Sequence, residues 1–226
     1  MPVIDHKMIV GWNRFKRGAY LEHYYDQTGD YRTKAVDFTE NGWCHAMAVE
    51  WLANKAAKGG DNMSFWNWFD SPNAASRLRF LMIEQLIRAK VIKQIAKNIL
   101  KANLSDRYSM YDVVKHDYDT KVSSHLAKVG LSPKIIVRSS TALDTCSLAN
   151  DLTSSTGTYA HIAVQFQSLG WHALAAFISV GQCFFMDPNA GEFRFNGLNR
   201  FVSWLPSYIG FRYFNIPILQ YIITKY

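Results

Sequence analysis

The hydrophobic period of this 226-residue chain changes once, near residue 134, and that change limits the folds open to it. Before it, apolar residues recur every three or four positions. Leu78, Met82, Leu86, Ala89, Ile92, Ala96 and Ile99 make one face of a helix that Ser71 caps and Pro72 begins. Tyr111, Val114, Tyr118, Val122 and Val129 repeat the pattern after Ser105, and Gly130 with Pro133 ends it. Residues 43–57 are apolar nearly all round, the mark of a helix buried on every side. Residues 12–25, polar and aromatic, read as a short helix. After residue 134 the period becomes two. Ala160, Ile162, Val164 and Phe166 alternate with Tyr159, His161, Ala163 and Gln165. Residues 134–138, 172–179, 182–187, 192–195 and 214–223 read as further strands, and residues 197–208 as a helix. The pattern predicts an α+β fold in one domain, 1–226. A helical part (41–130) packs on a C-terminal antiparallel sheet (131–226), after an N-terminal segment (1–40).

Composition narrows the function classes. Apolar residues are 49% of the chain and charged residues 19%, which suits a packed core and excludes a disordered chain. No apolar run reaches the roughly 18–20 residues of a membrane span, and no Sec-type signal core is visible. The three cysteines, Cys44, Cys146 and Cys183, form no CxxC pair. Neither a disulfide framework nor a structural metal site is expected, and no cofactor. The net charge is +7, and residues 77–101 hold seven basic side chains against one acid. Lys90, Lys93, Lys97 and Lys101 share a helix face there. A solvated face is the plain reading; peripheral contact with an anionic membrane, at about 1 kcal/mol per lysine, is the alternative. Nucleic acid is not expected, because no reading motif accompanies the charge.

Three residues carry chemistry. A nucleophilic thiol needs help to ionise, a base within reach, and a third group to orient that base. Cys44 follows Gly42 and Trp43 at the start of the buried helix, where free N–H groups and the helix dipole favour an anion. If Val180 and Gly181 form a two-residue loop, paired residues sum to 361, and His172 and Asp187 become diagonal neighbours on one face of a hairpin. A four-residue loop keeps that register, and a three-residue loop breaks it. Cys precedes His by 128 residues and His precedes Asp by 15, the order and spacing of papain-type enzymes rather than transglutaminase-type ones. Cys146 and Cys183 read as core or helix residues, His45 as a structural or rim residue, and His161 as a hydrogen-bonded structural histidine.

Gly42-Trp43-Cys44-His45-Ala46-Met47 resembles the cysteine segment of the YopT/AvrPphB group of bacterial effector proteases. Trp171-His172-Ala173-Leu174 resembles its histidine strand. Asp187-Pro188-Asn189-Ala190-Gly191-Glu192-Phe193 resembles its aspartate turn, the most specific of the three. The resemblance implies a papain-like cysteine protease fold with Cys44, His172 and Asp187 as catalytic triad. It implies an oxyanion-stabilising side chain just before the cysteine, for which Asn41 is the candidate; Trp43 and Trp171 would stand on the rim of the substrate cleft. Members of the group are virulence effectors secreted into the host cytoplasm, as by type III secretion. Some cut small Rho-type GTPases and others cut host kinases. The chain's basic charge suits a polybasic GTPase tail poorly. A monomeric thiol endopeptidase acting on a host protein is therefore expected. The same site could instead serve a deamidase, transglutaminase or acyltransferase, and a basic partner-binding module on a relic fold is the non-enzymatic alternative.

Overall fold

The alternating residues of the second half build the centre of the molecule, a computed structural model that describes residues 19–25, 43–57, 63–80, 83, 125–139, 145–167, 169–213 and 216–226. Seven strands form one antiparallel sheet: β1 (Ala19–Tyr24), β2 (Ile135–Ser139), β3 (Thr158–Phe166), β4 (Gly170–Ile178), β5 (Cys183–Asp187), β6 (Gly191–Phe195) and β7 (Ile218–Lys225). Their order across the sheet is β1-β6-β5-β4-β3-β7-β2. The labelled helices are α1 (Cys44–Ala57), α2 (Met63–Phe69), α3 (Thr145–Thr153) and α4 (Leu198–Arg212). Residues 72–80 are also helical and begin at Pro72, as the cap signal predicts. Lys90, Lys93, Lys97, Lys101 and Asn41 lie outside the described residues.

Period two sorts the strand side chains onto two buried faces. One face carries Ile162, Val164, Leu174, Ala176, Phe185 and Phe193 and is covered by α3 and α4. In α4, Phe201, Trp204, Leu205, Tyr208, Ile209 and Arg212 recur at three- and four-residue spacing, so one stripe of the helix meets the sheet. The other face carries Ala173, Ala175, Phe184 and Met186 and receives α1 and α2. Small alanines on β4 let α1 approach the strand closely. The helical first half therefore packs on the sheet as expected, and a second helical layer covers the opposite side.

Residues 19–24 depart from the expected N-terminal helix. They form edge strand β1, paired with β6. The pairing shifts by one residue between Leu21 and His23, a bulge that interrupts the alternation by which a strand is recognised. Contact with Gly191 explains why the strand can seat. Gly191 has φ +111°, and a Cβ there would lie 1.9 Å from the His23 carbonyl oxygen, so only glycine lets β1 pass. The last strand also starts later than expected, at Ile218, directly after Pro217.

β4 ends at Ile178 and β5 begins at Cys183, so residues 179–182 form a four-residue loop rather than a two-residue one, the alternative length that keeps the same register. Ala175 pairs Met186, Phe177 pairs Phe184 and Ile178 pairs Cys183, each summing to 361. Ser179 closes the turn: its Oγ donates to the Gln182 carbonyl at 2.6 Å and accepts from the Gln182 N–H at 3.1 Å.

Candidate active site

Cys44 is the first residue of α1, and Trp43 supplies the helix's N-cap carbonyl, which accepts the Met47 N–H at 2.9 Å. The Cys44 sulfur accepts hydrogen bonds from the backbone N–H groups of His45 and Ala173 and is hydrogen-bonded to the His172 side chain. Cys44 keeps 5% exposure and His172 8%. Sulfur and imidazole come from opposite layers. Alternation along β4 points His172 to the α4 side and Ala173 to the α1 side, and the two layers meet at the open end of the strand.

Asp187 ends β5 on the same face as His172. The hairpin register, the one a four-residue loop keeps, brings them together: His172 Nε2 lies 3.0 Å from Asp187 Oδ1. That leaves Nδ1 as the ring nitrogen for sulfur. Asp187 has no solvent exposure. Its Oδ1 also accepts the Asn189 N–H at 2.8 Å, and its Oδ2 accepts the hydroxyls of Tyr208 at 2.7 Å and Tyr213 at 2.8 Å. Arg212 donates to the Asn189 carbonyl at 2.6 Å and so braces the turn.

These contacts set the charges. Burial pushes the Cys44 thiol up, but the hydrogen bond and positive charge of His172 outweigh it, helped by the Ala173 and His45 N–H groups, and the thiol ends below its ordinary value. Burial alone would push His172 down; Asp187 first, then Cys44, raise it to about 10. Burial would push Asp187 up; His172 first, then Arg212 and the Asn189 N–H, bring it to about 2. A thiolate, an imidazolium and a carboxylate in line are the favoured state.

Other predicted positions fall elsewhere. Trp43, expected on a cleft rim, is 3% exposed and packs into the core around α1 instead. Trp171 is 48% exposed beside His172. His161 is buried against the His45 ring at 5.0 Å, and its Nε2 lacks the hydrogen bond expected of it; burial lowers it to about 4. Cys146 is exposed on α3, and Cys183 is buried on β5. On the outer side of α1 lies a groove of about 400 Å³. There Glu50 accepts from Arg77 at 2.7 Å and meets His125 at 3.1 Å, so its polar groups satisfy one another. Among the described residues no helix is long and apolar enough to cross a membrane.

Tyr208, Tyr213 and Arg212 are the site residues that sequence reading missed. The apolar stripe of α4 runs through Tyr208 and Arg212, but nothing local says that a carboxylate waits beneath it.

The avirulence protein AvrPphB of Pseudomonas superposes on this chain with a TM-score of 0.55 at 17% identity, over 84% of this chain and 94% of that one. The likeness fixes the architecture as the papain-like cysteine protease fold. The YopT domain of the PfhB2 toxin of Pasteurella multocida aligns at 16% identity over 86% of this chain and 87% of its own, with a TM-score of 0.27. No curated protein matches. The Peptidase_C58 family model, described as Yersinia/Haemophilus virulence surface antigen, matches residues 18–211, and the chain belongs to that family.

Proposed function

We propose that this protein is a cysteine endopeptidase, a bacterial virulence effector that cleaves a host protein inside the host cell, with Cys44 as nucleophile, His172 as general acid and base, and Asp187 as the group that orients His172. The observation that carries the reading is the row of hydrogen bonds from the helix-terminal sulfur through the imidazole to a fully buried carboxylate. The thiolate attacks the substrate carbonyl carbon, and a C–S bond forms as the carbonyl π electrons move to oxygen. The partial positive charge at the start of α1 favours the charge on that oxygen. Collapse breaks the C–N bond, and the amine leaves with the Nδ1 proton of His172. Water then gives a proton to His172 and attacks the thioester, and collapse breaks the C–S bond, releases the acid and restores the thiolate–imidazolium pair.

Cys44→Ala and His172→Ala are each expected to cut peptide hydrolysis by about 10³-fold or more. Incubation of wild type with host lysate, beside Cys44→Ala, should yield new protein termini in the wild-type sample only. A target that gains about one dalton, or an added chain, instead of splitting would mark a deamidase or acyltransferase. Undiminished hydrolysis by Cys44→Ala would rule the mechanism out.

A further inference from the structure

Two tyrosine hydroxyls on a single carboxylate oxygen exceed what burial alone demands. A buried phenol needs one partner, and any nearby carbonyl would do. Here Tyr208 comes from within α4 and Tyr213 from just past its end, five residues apart and off a common helical stripe, and both reach Oδ2 of Asp187. Neither ring is free to turn away: Tyr208 stacks on Trp204 and Tyr213 on Phe166, each at 4.4 Å. Arg212 lies in the same stripe as Tyr208, and its guanidinium donates to the Asn189 carbonyl of the same turn.

We propose that Tyr208 and Tyr213 are positioning residues of the candidate triad, which hold Oδ2 of Asp187 with neutral donors so that Oδ1 faces His172. The inference rests on the triad reading above. A guanidinium on Oδ2 would supply the same hydrogen bonds, but its full charge would compete with the imidazolium for the carboxylate. Phenols stabilise the anion and leave that charge for His172. Two donors on one oxygen also stop rotation about the Cβ–Cγ bond, which would otherwise let either oxygen meet the ring. Burial and the Asp187 charge hold both phenols protonated far above the ordinary range, so they remain donors. Among the described residues, the charged and titratable groups around Asp187 include His172 on β4, Arg212 and Tyr208 on α4, Tyr213, and Cys44 through His172.

The test measures the pH dependence of Cys44 alkylation by iodoacetamide, read by peptide mass, with peptide hydrolysis alongside. Tyr208→Phe, Tyr213→Phe and the double variant keep the stacked rings and delete only the hydroxyls. Removing donors that favour negative charge raises the proton affinity of the whole site. Both limbs of the profile should move up, by about half a unit to one unit per hydroxyl, and further in the double variant. The rate constant kcat should fall about tenfold at unchanged KM. Tyr221→Phe is the control: it deletes a buried hydroxyl that donates to Asp151 at 2.5 Å in the same core. Its limbs should coincide with wild type even if its melting temperature falls. Limbs that stay put in the Tyr208→Phe/Tyr213→Phe double variant, while wild type alkylates fast at Cys44, would overturn the positioning role alone. Wild type that alkylates no faster at Cys44 than at Cys146 or Cys183 would overturn the triad reading itself.

Discussion

Two carboxylates without solvent exposure, Asp187 and Glu192, stand five residues apart on neighbouring strands, and the protein answers them in opposite ways. Asp187 faces α4 and is met by two phenols, a backbone N–H and an imidazole. Glu192 is tied to α1 and α2. Lys55 Nζ lies 2.6 Å from its Oε1, and the indole N–H groups of Trp51 and Trp66 donate to its Oε2 at 2.9 and 2.8 Å. The lysine also sits over the Phe184 ring at 4.1 Å. Glu192 thus has a permanent cation, and its charge is consumed in clamping the helix that carries Cys44. Asp187 meets the imidazole of His172 at 3.0 Å, with the Arg212 charge acting on it from nearby, so its charge works on a group that gains and loses a proton. The same chemical group becomes a clamp or an orienting base according to whether its partner titrates.

Making each carboxylate neutral separates the two roles. Asp187→Asn should give the largest effect, a fall in hydrolysis of about 10³-fold with the fold retained, because the amide cannot support an imidazolium. Hydrolysis rate and melting temperature measured together check it. Glu192→Gln should instead cost about 3–5 kcal/mol of stability, since Lys55 is left buried and unpaired. The protein that remains folded should turn over near the wild-type rate. Pairing Glu192→Gln with Lys55→Met should recover part of the loss, and a denaturant series on the two singles and the double reads the coupling.

The pH profile sharpens the Asp187 side. The reactive state needs Cys44 deprotonated and His172 protonated, so hydrolysis should rise through the lowered thiol value and fall at about pH 10, where the imidazolium is lost. In Asp187→Asn the group that raises His172 is gone and burial works unopposed. The alkaline limb should then fall well below 10, and the active window should close. An alkaline limb unchanged by Asp187→Asn would assign the imidazolium to the thiolate alone.

How far the sequence exposed this arrangement depends on how local each feature is. Cys44 was legible because Gly42 and an apolar run sit side by side with it in the chain. The facing of His172 and Asp187 was legible because a short loop with an even number of residues, two or four, converts sequence numbers into the same register. Strand β1 was not, because its bulge at Glu22 breaks the period and its seat depends on Gly191, far along the chain. Tyr208 and Tyr213 were not, because they read as ordinary core aromatics of a helix until the sheet beneath supplies Asp187. The pairing of Lys55 with Glu192 was not legible for the same reason. Burial of a charge is decided by partners more than a hundred residues away, and no window of sequence contains both.

The smallest effect isolates burial from charge. Arg194 and Glu22 meet at 2.5 Å, with about a quarter of each side chain exposed (27% and 26%). Lys55 and Glu192 meet at nearly the same separation with none. Coulomb attraction at contact is similar in kind for both, but water screens the first pair and relieves either partner when the other is removed. Glu22→Gln should therefore cost no more than about 1 kcal/mol, and that cost should shrink as salt is added. The Glu192→Gln loss should barely respond to salt, because its penalty is the stranding of Lys55 away from solvent and not the loss of a favourable field. Equal costs and equal salt dependence for the two substitutions would show that Glu192 is no clamp, and that α1 is held on the sheet by its apolar contacts alone.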